Sequence, residues 1–141
     1  LNKTLLLIKP DAVRNCHIGS IISIVENSGF TILDLKMFTF TYDLARQFYK
    51  IHVNKEFFPI LLEFITSGPC VAVYLKRDHA VKKLRELIGA TDPLEADAGT
   101  IRKLYAENKT RNAVHASDSP ENALVEITLI FGSSRCKSME T

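Results

Sequence analysis

No hydrophobic run in this chain approaches the roughly 20 residues that a bilayer-spanning helix needs. A leader-like segment is also missing. The strand-like run Thr4–Ile8 begins at once, so the expectation is an intracellular chain without a secretory signal. Cysteine is scarce: Cys16, Cys70 and Cys136 are an odd number at wide spacing. That pattern argues against a metal clip and against a disulfide framework, and for a reducing compartment. Excess charge of one sign is absent too, since 18 basic and 16 acidic residues leave a net charge of +2. A dedicated nucleic-acid binder is usually dominated by its basic residues, although a balanced chain can still gather cations into one pocket. There is no internal repeat and no low-complexity segment.

What is present describes an ordinary globular domain. Hydrophobic residues make up 46% and charged residues 24% of 141 positions, enough for one domain with a real core. Lys3–Ile8 reads as a buried strand that Pro10-Asp11 breaks. Ile18, Ile21, Ile22 and Val25 recur at helical spacing, and Gly29 is the expected left-handed cap of that helix. Thr31–Thr41 reads as a long strand. Asp43–His52 and Phe57–Ile65 read as short helices, with Pro59 tolerated in a first turn.

Ser67-Gly68-Pro69 is a turn before the buried strand Cys70–Lys76. Asp78 is the expected N-cap of a helix over Ala80–Ile88. Gly89–Gly99 is loop-like, Thr100–Tyr105 a short helix, and Ser119-Pro120 opens a last helix before a final strand over Glu126–Phe131. This order predicts an α+β fold, a ferredoxin-like βαββαβ sandwich with a four-stranded antiparallel sheet, extra helices and one long loop. The domain is expected over residues 1–132, and Ser133–Thr141 as a polar, mobile tail. A connection as long as the one before the last helix is usually functional.

That long connection ends in Arg111-Asn112-Ala113-Val114-His115-Ala116-Ser117-Asp118-Ser119. It places one imidazole among an amide, a hydroxyl and a carboxylate. Neutral imidazole is nucleophilic near pH 7, but a polar loop with one histidine is usually only a loop. Four blocks in order give it more weight: Ile8-Lys9-Pro10-Asp11, Phe57-Phe58-Pro59, Ser67-Gly68-Pro69 and Asn112–Asp118, with Gly99-Thr100-Ile101-Arg102 between the last two. On these residues the chain resembles the nucleoside diphosphate kinases over roughly Lys3–Phe131.

The resemblance implies a magnesium-dependent exchange. A nucleoside triphosphate would give its γ-phosphate to Nδ1 of His115, and a nucleoside diphosphate would take it back, in ping-pong order. It implies that Glu126 orients the imidazole and that Ser117 supports it. It makes Lys9, Arg85 and Arg102 a phosphate clamp, which suits the planar fork of arginine and the compact charge of lysine. Thr91 would contact phosphate through its hydroxyl, and Tyr49 would place its hydroxyl near the transferred group. Asn112 and Lys9 would bind the sugar hydroxyls.

Phe57 would stack on the base, with Leu61 nearby on the same helix face and one of Phe57 and Phe58 left for the core. Stacking tolerates any base, so broad specificity is expected. Magnesium would ride on the nucleotide phosphates. No dedicated protein metal site is expected, zinc included. The implied partners are nucleoside di- and triphosphates and further copies of the chain, as a dimer, tetramer or hexamer. No membrane is expected, nor nucleic acid as the main ligand.

Four positions depart from the family pattern. Ala12 and Ala116 stand where glycine is usual, Ala90 where an acidic residue is common, and Lys109 where a small apolar residue often covers the far side of the base. Alanine disfavours positive φ, so Ala116 raises the question of a shifted loop. The departures resemble those of divergent members of the family, some linked to cilia and flagella. The expected compartment is therefore the cytoplasm, with those organelles as a further location. They also define an alternative, a catalytically weak nucleotide-binding scaffold or regulatory module. A single-stranded nucleic-acid binder using the same pocket is a third reading, marked by strongly salt-dependent affinity.

Overall fold

Two apolar runs organise the sheet. In the computed structural model, which describes residues 2–132, β1 (Lys3–Ile8) and β3 (Cys70–Lys76) lie side by side at its centre. β2 (Thr31–Phe38) flanks β3 and β4 (Val114–Ala116) flanks β1, giving the order β2-β3-β1-β4 with every pairing antiparallel. Alternation along the strands sends Leu5, Leu7, Ala72 and Tyr74 into one core and Leu6, Ile8, Val71, Val73 and Leu75 into another. Both faces of β1 and β3 are therefore covered, which is why these strands read as unbroken apolar runs.

The first core is closed by α3 (Tyr42–Phe48), α4 (Phe58–Ile65) and α7 (Pro120–Phe131). The second is closed by α1 (Pro10–Arg14), α2 (Ile18–Asn27), α5 (Ala80–Ile88) and α6 (Ile101–Tyr105). A 3-10 turn, Lys50–His52, continues from α3. Helix starts follow local chemistry. The hydroxyls of Thr41, Thr100 and Ser119 accept backbone N–H bonds at the heads of α3, α6 and α7. Pro10, Pro59 and Pro120 sit in first turns, where a missing N–H costs nothing.

The fold class agrees with the sequence reading, but its last strand was misplaced. Glu126–Phe131 is the second half of α7, and the fourth strand is Val114–Ala116, around His115. A short β-branched run does not distinguish strand from helix by itself. The deciding features are the Ser119 cap, Pro120 in the first turn, and buried Ala123, Glu126, Ile127 and Ile130 at helical spacing.

Asp78 is not the N-cap of α5. His79 takes that place in a left-handed conformation (φ 53°) and makes no side-chain cap bond. β2 ends at Phe38 rather than Thr41. Gly29 does adopt positive φ (91°) after α2. The expected tail, Ser133–Thr141, lies outside the described residues.

Candidate active site

β4 is an edge strand, and its open side organises the site. Its neighbours Ala113 and Ser117 bond toward β1: Lys9 N–H donates to Ala113 O (2.9 Å), and Ser117 N–H to Leu5 O (3.3 Å). Antiparallel alternation then turns the carbonyls of Val114 and Ala116 outward, where a strand would need another partner. Two guanidinium groups answer them. Arg102 donates to Val114 O (2.9 Å) and, through its other terminal nitrogen, to Gly89 O (3.1 Å). Arg85 donates to Ala116 O (3.2 Å). The residue between those carbonyls is His115, so its stretch of backbone is bracketed by two guanidinium groups.

Gly89 belongs to this construction. It ends α5 at φ 86°, and a Cβ there would meet the Thr100 hydroxyl oxygen at 2.6 Å. Only glycine presents that carbonyl to Arg102 without displacing the cap of α6.

His115 pairs with Leu7 across the strands and projects into the first core, toward α7. Its Nε2 lies 2.9 Å from Oε1 of Glu126, one helical turn beyond Asn122 on α7. The Ser117 hydroxyl donates to the same carboxylate oxygen (2.7 Å). A carboxylate oxygen accepts, so Nε2 is the nitrogen suited to donate here, and in the neutral ring that leaves the lone pair on Nδ1. The rings of Phe48 and Tyr49 meet the imidazole edge-on, with centroids 5.0 and 5.8 Å away. The ring is thus fixed in plane and tautomer yet remains 22% exposed.

A tight loop connects this histidine to β1. Ala113 adopts φ 74°, unusual for a residue with a Cβ. Both of its backbone groups are held by the Lys-Pro-Asp block: Lys9 N–H bonds its carbonyl, and its N–H donates to Asp11 Oδ2 (3.0 Å). Lys9 Nζ donates to Asn112 Oδ1 (2.7 Å), and the Asn112 amide donates to the backbone of Lys109 (3.0 Å) and Thr91 (3.3 Å). The two departures from glycine cause no strain. Ala116 is extended within β4, and Ala12 is buried in helix α1.

One cavity of about 640 Å³ collects these groups. Lys9, Tyr49, Phe57, Leu61, Arg85, Thr91, Arg102, Asn112, His115 and Glu126 all line it. Ser117 does not; it is fully buried behind Glu126. Phe57 is 47% exposed at the cavity mouth while Phe58 is buried in the first core. The sequence reading missed His52 and Asn122, and it named Asp118 without a role; all three also line the cavity. Asp11, likewise named without a role, holds the loop behind it. His52 was legible in principle, because it follows Tyr49 at the spacing that shares a helix face. Its ring lies 5.4 Å from that of Phe57.

The charge of the cavity is unbalanced. Among the described residues no carboxylate forms an ion pair with Lys9, Arg85 or Arg102. Burial, followed by repulsion from Arg102, pushes the Lys9 ammonium down to about 8. Burial, then Arg85, brings the Arg102 guanidinium to about 10. Burial raises the Tyr49 hydroxyl well above its ordinary range, which keeps it a proton donor. Burial, then Lys55, lowers His52. Tyr49 Oη and Arg102 Nε are buried without a partner. Unpaired buried cations and idle donors are costly by themselves, and they describe a site shaped for an anion with several oxygens.

A family model described as nucleoside diphosphate kinase matches residues 2–136. A nucleoside diphosphate kinase of Chlorobium limicola is 47% identical over 131 residues, covering 93% of this chain and 94% of the relative. One from Staphylothermus marinus is 51% identical over 129 residues, covering 92% of each. The crystal structure of the Aquifex aeolicus nucleoside diphosphate kinase superposes with a TM-score of 0.92 at 43% identity, covering 95% of this chain and 97% of that one. A halophilic nucleoside diphosphate kinase from Halobacterium salinarum, solved in complex with CDP, gives a TM-score of 0.90 at 35% identity, covering 94% and 89%. With its bracketed histidine, its anion-shaped cavity and likeness along nearly its whole length, this chain belongs to the nucleoside diphosphate kinase family.

Proposed function

We propose that this nucleoside diphosphate kinase works through His115 as a transient phosphate carrier. One observation carries the reading: Glu126 holds Nε2, which leaves Nδ1 free at the wall of a cavity where Lys9, Arg85 and Arg102 have no carboxylate partner among the described residues. Nδ1 attacks the γ-phosphorus in line. The N–P bond forms as the bond to the β-phosphate oxygen breaks, and the nucleoside diphosphate leaves with that electron pair. The acceptor diphosphate then enters the same cavity, and its terminal oxygen reverses the step.

Arg102 and Arg85 stabilise charge on the equatorial oxygens. Both are anchored on backbone before substrate arrives, so little reorganisation remains for the reaction itself. The Tyr49 hydroxyl supplies a further donor, and Thr91 and His52 complete the phosphate end. Lys9 and Asn112 hold the sugar hydroxyls. Phe57 covers the base with Leu61 behind it. Ser117 fixes Glu126, and Glu126 balances the charge that the imidazole gains.

The donor set fits magnesium carried by the nucleotide. Among the described residues no three His, Cys, Asp or Glu side chains cluster as a cage, and Asp118 is the exposed carboxylate in the cavity wall. Phosphate oxygens would hold the ion with Asp118 near it, and its charge would offset that of the phosphates.

The cytoplasm is the proposed compartment; among the described residues no helix is long and apolar enough to cross a membrane. Exposed apolar side chains on edge strand β2 (Leu35, Met37) and on α7 (Leu124, Val125) fit a homo-oligomer. Light scattering would distinguish dimer, tetramer and hexamer.

The direct test is incubation with γ-labelled nucleoside triphosphate and magnesium. The expected product is an acid-labile, alkali-stable phosphoenzyme, discharged by any added nucleoside diphosphate and absent in His115→Ala. Tight nucleotide binding with no phosphoenzyme would favour the scaffold reading instead.

A further inference from the structure

Lys9, Arg85 and Arg102 serve the sugar and phosphate end of the cavity, and one further ammonium stands apart from them. Lys109 also lines the cavity. Its backbone carbonyl accepts from the Asn112 side chain, so its Cα is fixed next to the amide proposed to hold the sugar. Phe57 and Leu61 line the same cavity as its apolar wall. Lys109 can lay its methylene stem along a base that rests on Phe57 and bring its ammonium to the base edge.

The counter-ion leaves that ammonium available. Asp92 Oδ2 is 4.0 Å from Lys109 Nζ, beyond hydrogen-bond length, and the lysine side chain is 75% exposed. Asp92 is not part of the cavity lining, and its other oxygen accepts from Leu94 N–H. The nearest carboxylate therefore lies outside the cavity lining, and the ammonium is not held to it by a hydrogen bond. The carboxylates that do line it, Asp118 and Glu126, neighbour His115 and Asn122. An ammonium has three donors and no acceptor. It attracts a carbonyl on the base and repels an exocyclic amino group.

We propose that Lys109 biases this kinase toward keto bases, with guanine, hypoxanthine and uracil favoured over adenine and cytosine. The inference rests on the proposed function, because it needs the base to lie between Phe57 and Lys109. The donor competes with water at an exposed position, so the bias is modest, about fivefold.

Calorimetric binding of the diphosphates measures it without requiring turnover. Inosine diphosphate against adenosine diphosphate isolates the carbonyl at position 6, and uridine diphosphate against cytidine diphosphate does the same for pyrimidines. The keto member of each pair should bind about fivefold more tightly. Lys109→Met keeps the stem and should erase the difference, while Asp92→Asn should widen it. Equal affinities in the wild type, or a preference that survives Lys109→Met, overturn the inference. Normal phosphate exchange with equal affinities would sink this inference alone; failure to bind any nucleotide would sink the proposed function with it.

Discussion

The two ends of the cavity are built differently. At the phosphate end, Arg85, Arg102, Glu126 and Ser117 are each tied by hydrogen bonds to backbone or to one another, and His115 is held by ring contacts as well. At the base end, Phe57 is half exposed and Lys109 reaches only a loose, solvated ion pair. Under the proposed transfer, preorganisation is concentrated where charge would develop in the transition state, and the end that would meet the variable part of the substrate is left adaptable. An enzyme built this way should be exacting about phosphate and tolerant of bases.

Substitutions at the two ends should separate in kind as well as in size. The largest effect is expected from His115→Ala, with phosphate exchange falling by about 10⁴ or more while the circular dichroism spectrum stays native. Exchange near the wild-type rate would remove this histidine from the chemistry. Next is Arg102→Ala, with kcat down by roughly 10²–10³. The melting temperature should drop too, since the carbonyls of Val114 and Gly89 lose their donor. At the base end, Phe57→Ala should raise KM about tenfold with a much smaller change in kcat. A collapse of kcat in that variant would show that the two ends are not separable.

The pH dependence sharpens the contrast further, because Lys9 links both ends. Its folded value of about 8 lies below that of the unfolded chain. The folded state therefore gives up this proton first, and stability rises between pH 8 and the ordinary lysine range, by on the order of 3 kcal/mol. Activity should move the other way: kcat/KM for the free enzyme falls above pH 8 as the ammonium is lost. Lys9→Met should flatten both trends, giving a chain more stable at neutral pH and weaker toward nucleotides. A stability profile that falls through this window would contradict the buried, unpaired state of Lys9. Nucleotide should itself act as a stabiliser. At a hundredfold excess over Kd it should add about 2.7 kcal/mol, read as a shift in thermal midpoint.

The sequence made the composition of the site legible more fully than its placement. The family resemblance pointed to ten residues that share one cavity, and five of them, Lys9, Phe57, Arg102, Asn112 and His115, stand inside the short motif runs. Phe57 and Phe58 separate into one cavity-facing ring and one core ring because adjacent positions at a helix start point apart. The strand under His115 was hidden. Three residues, paired on one side only, carry too little periodicity to be seen. The apolar half of α7 mimicked a strand instead, and only the Ser119-Pro120 start betrayed it. Asp11 stood in a motif block without a role, and His52 escaped notice, because their partners, Ala113 and the cavity wall, are far away in sequence or depend on a turn that no local signal announces. Lys109 was visible as an oddity, but its loose pairing with Asp92, 17 positions away, left no local signal.

Ala113 has one more consequence. Its unfavourable backbone twist is held shut by the Asp11 carboxylate on one side and the amide of Lys9 on the other. Asn112 precedes it and His115 follows two residues later, so the proposed sugar grip and the proposed phosphate carrier hang from a single clasp. Opening that clasp would swing both together, and a chain that keeps every group touching the nucleotide could still fall silent through the loss of an acid that touches none of it.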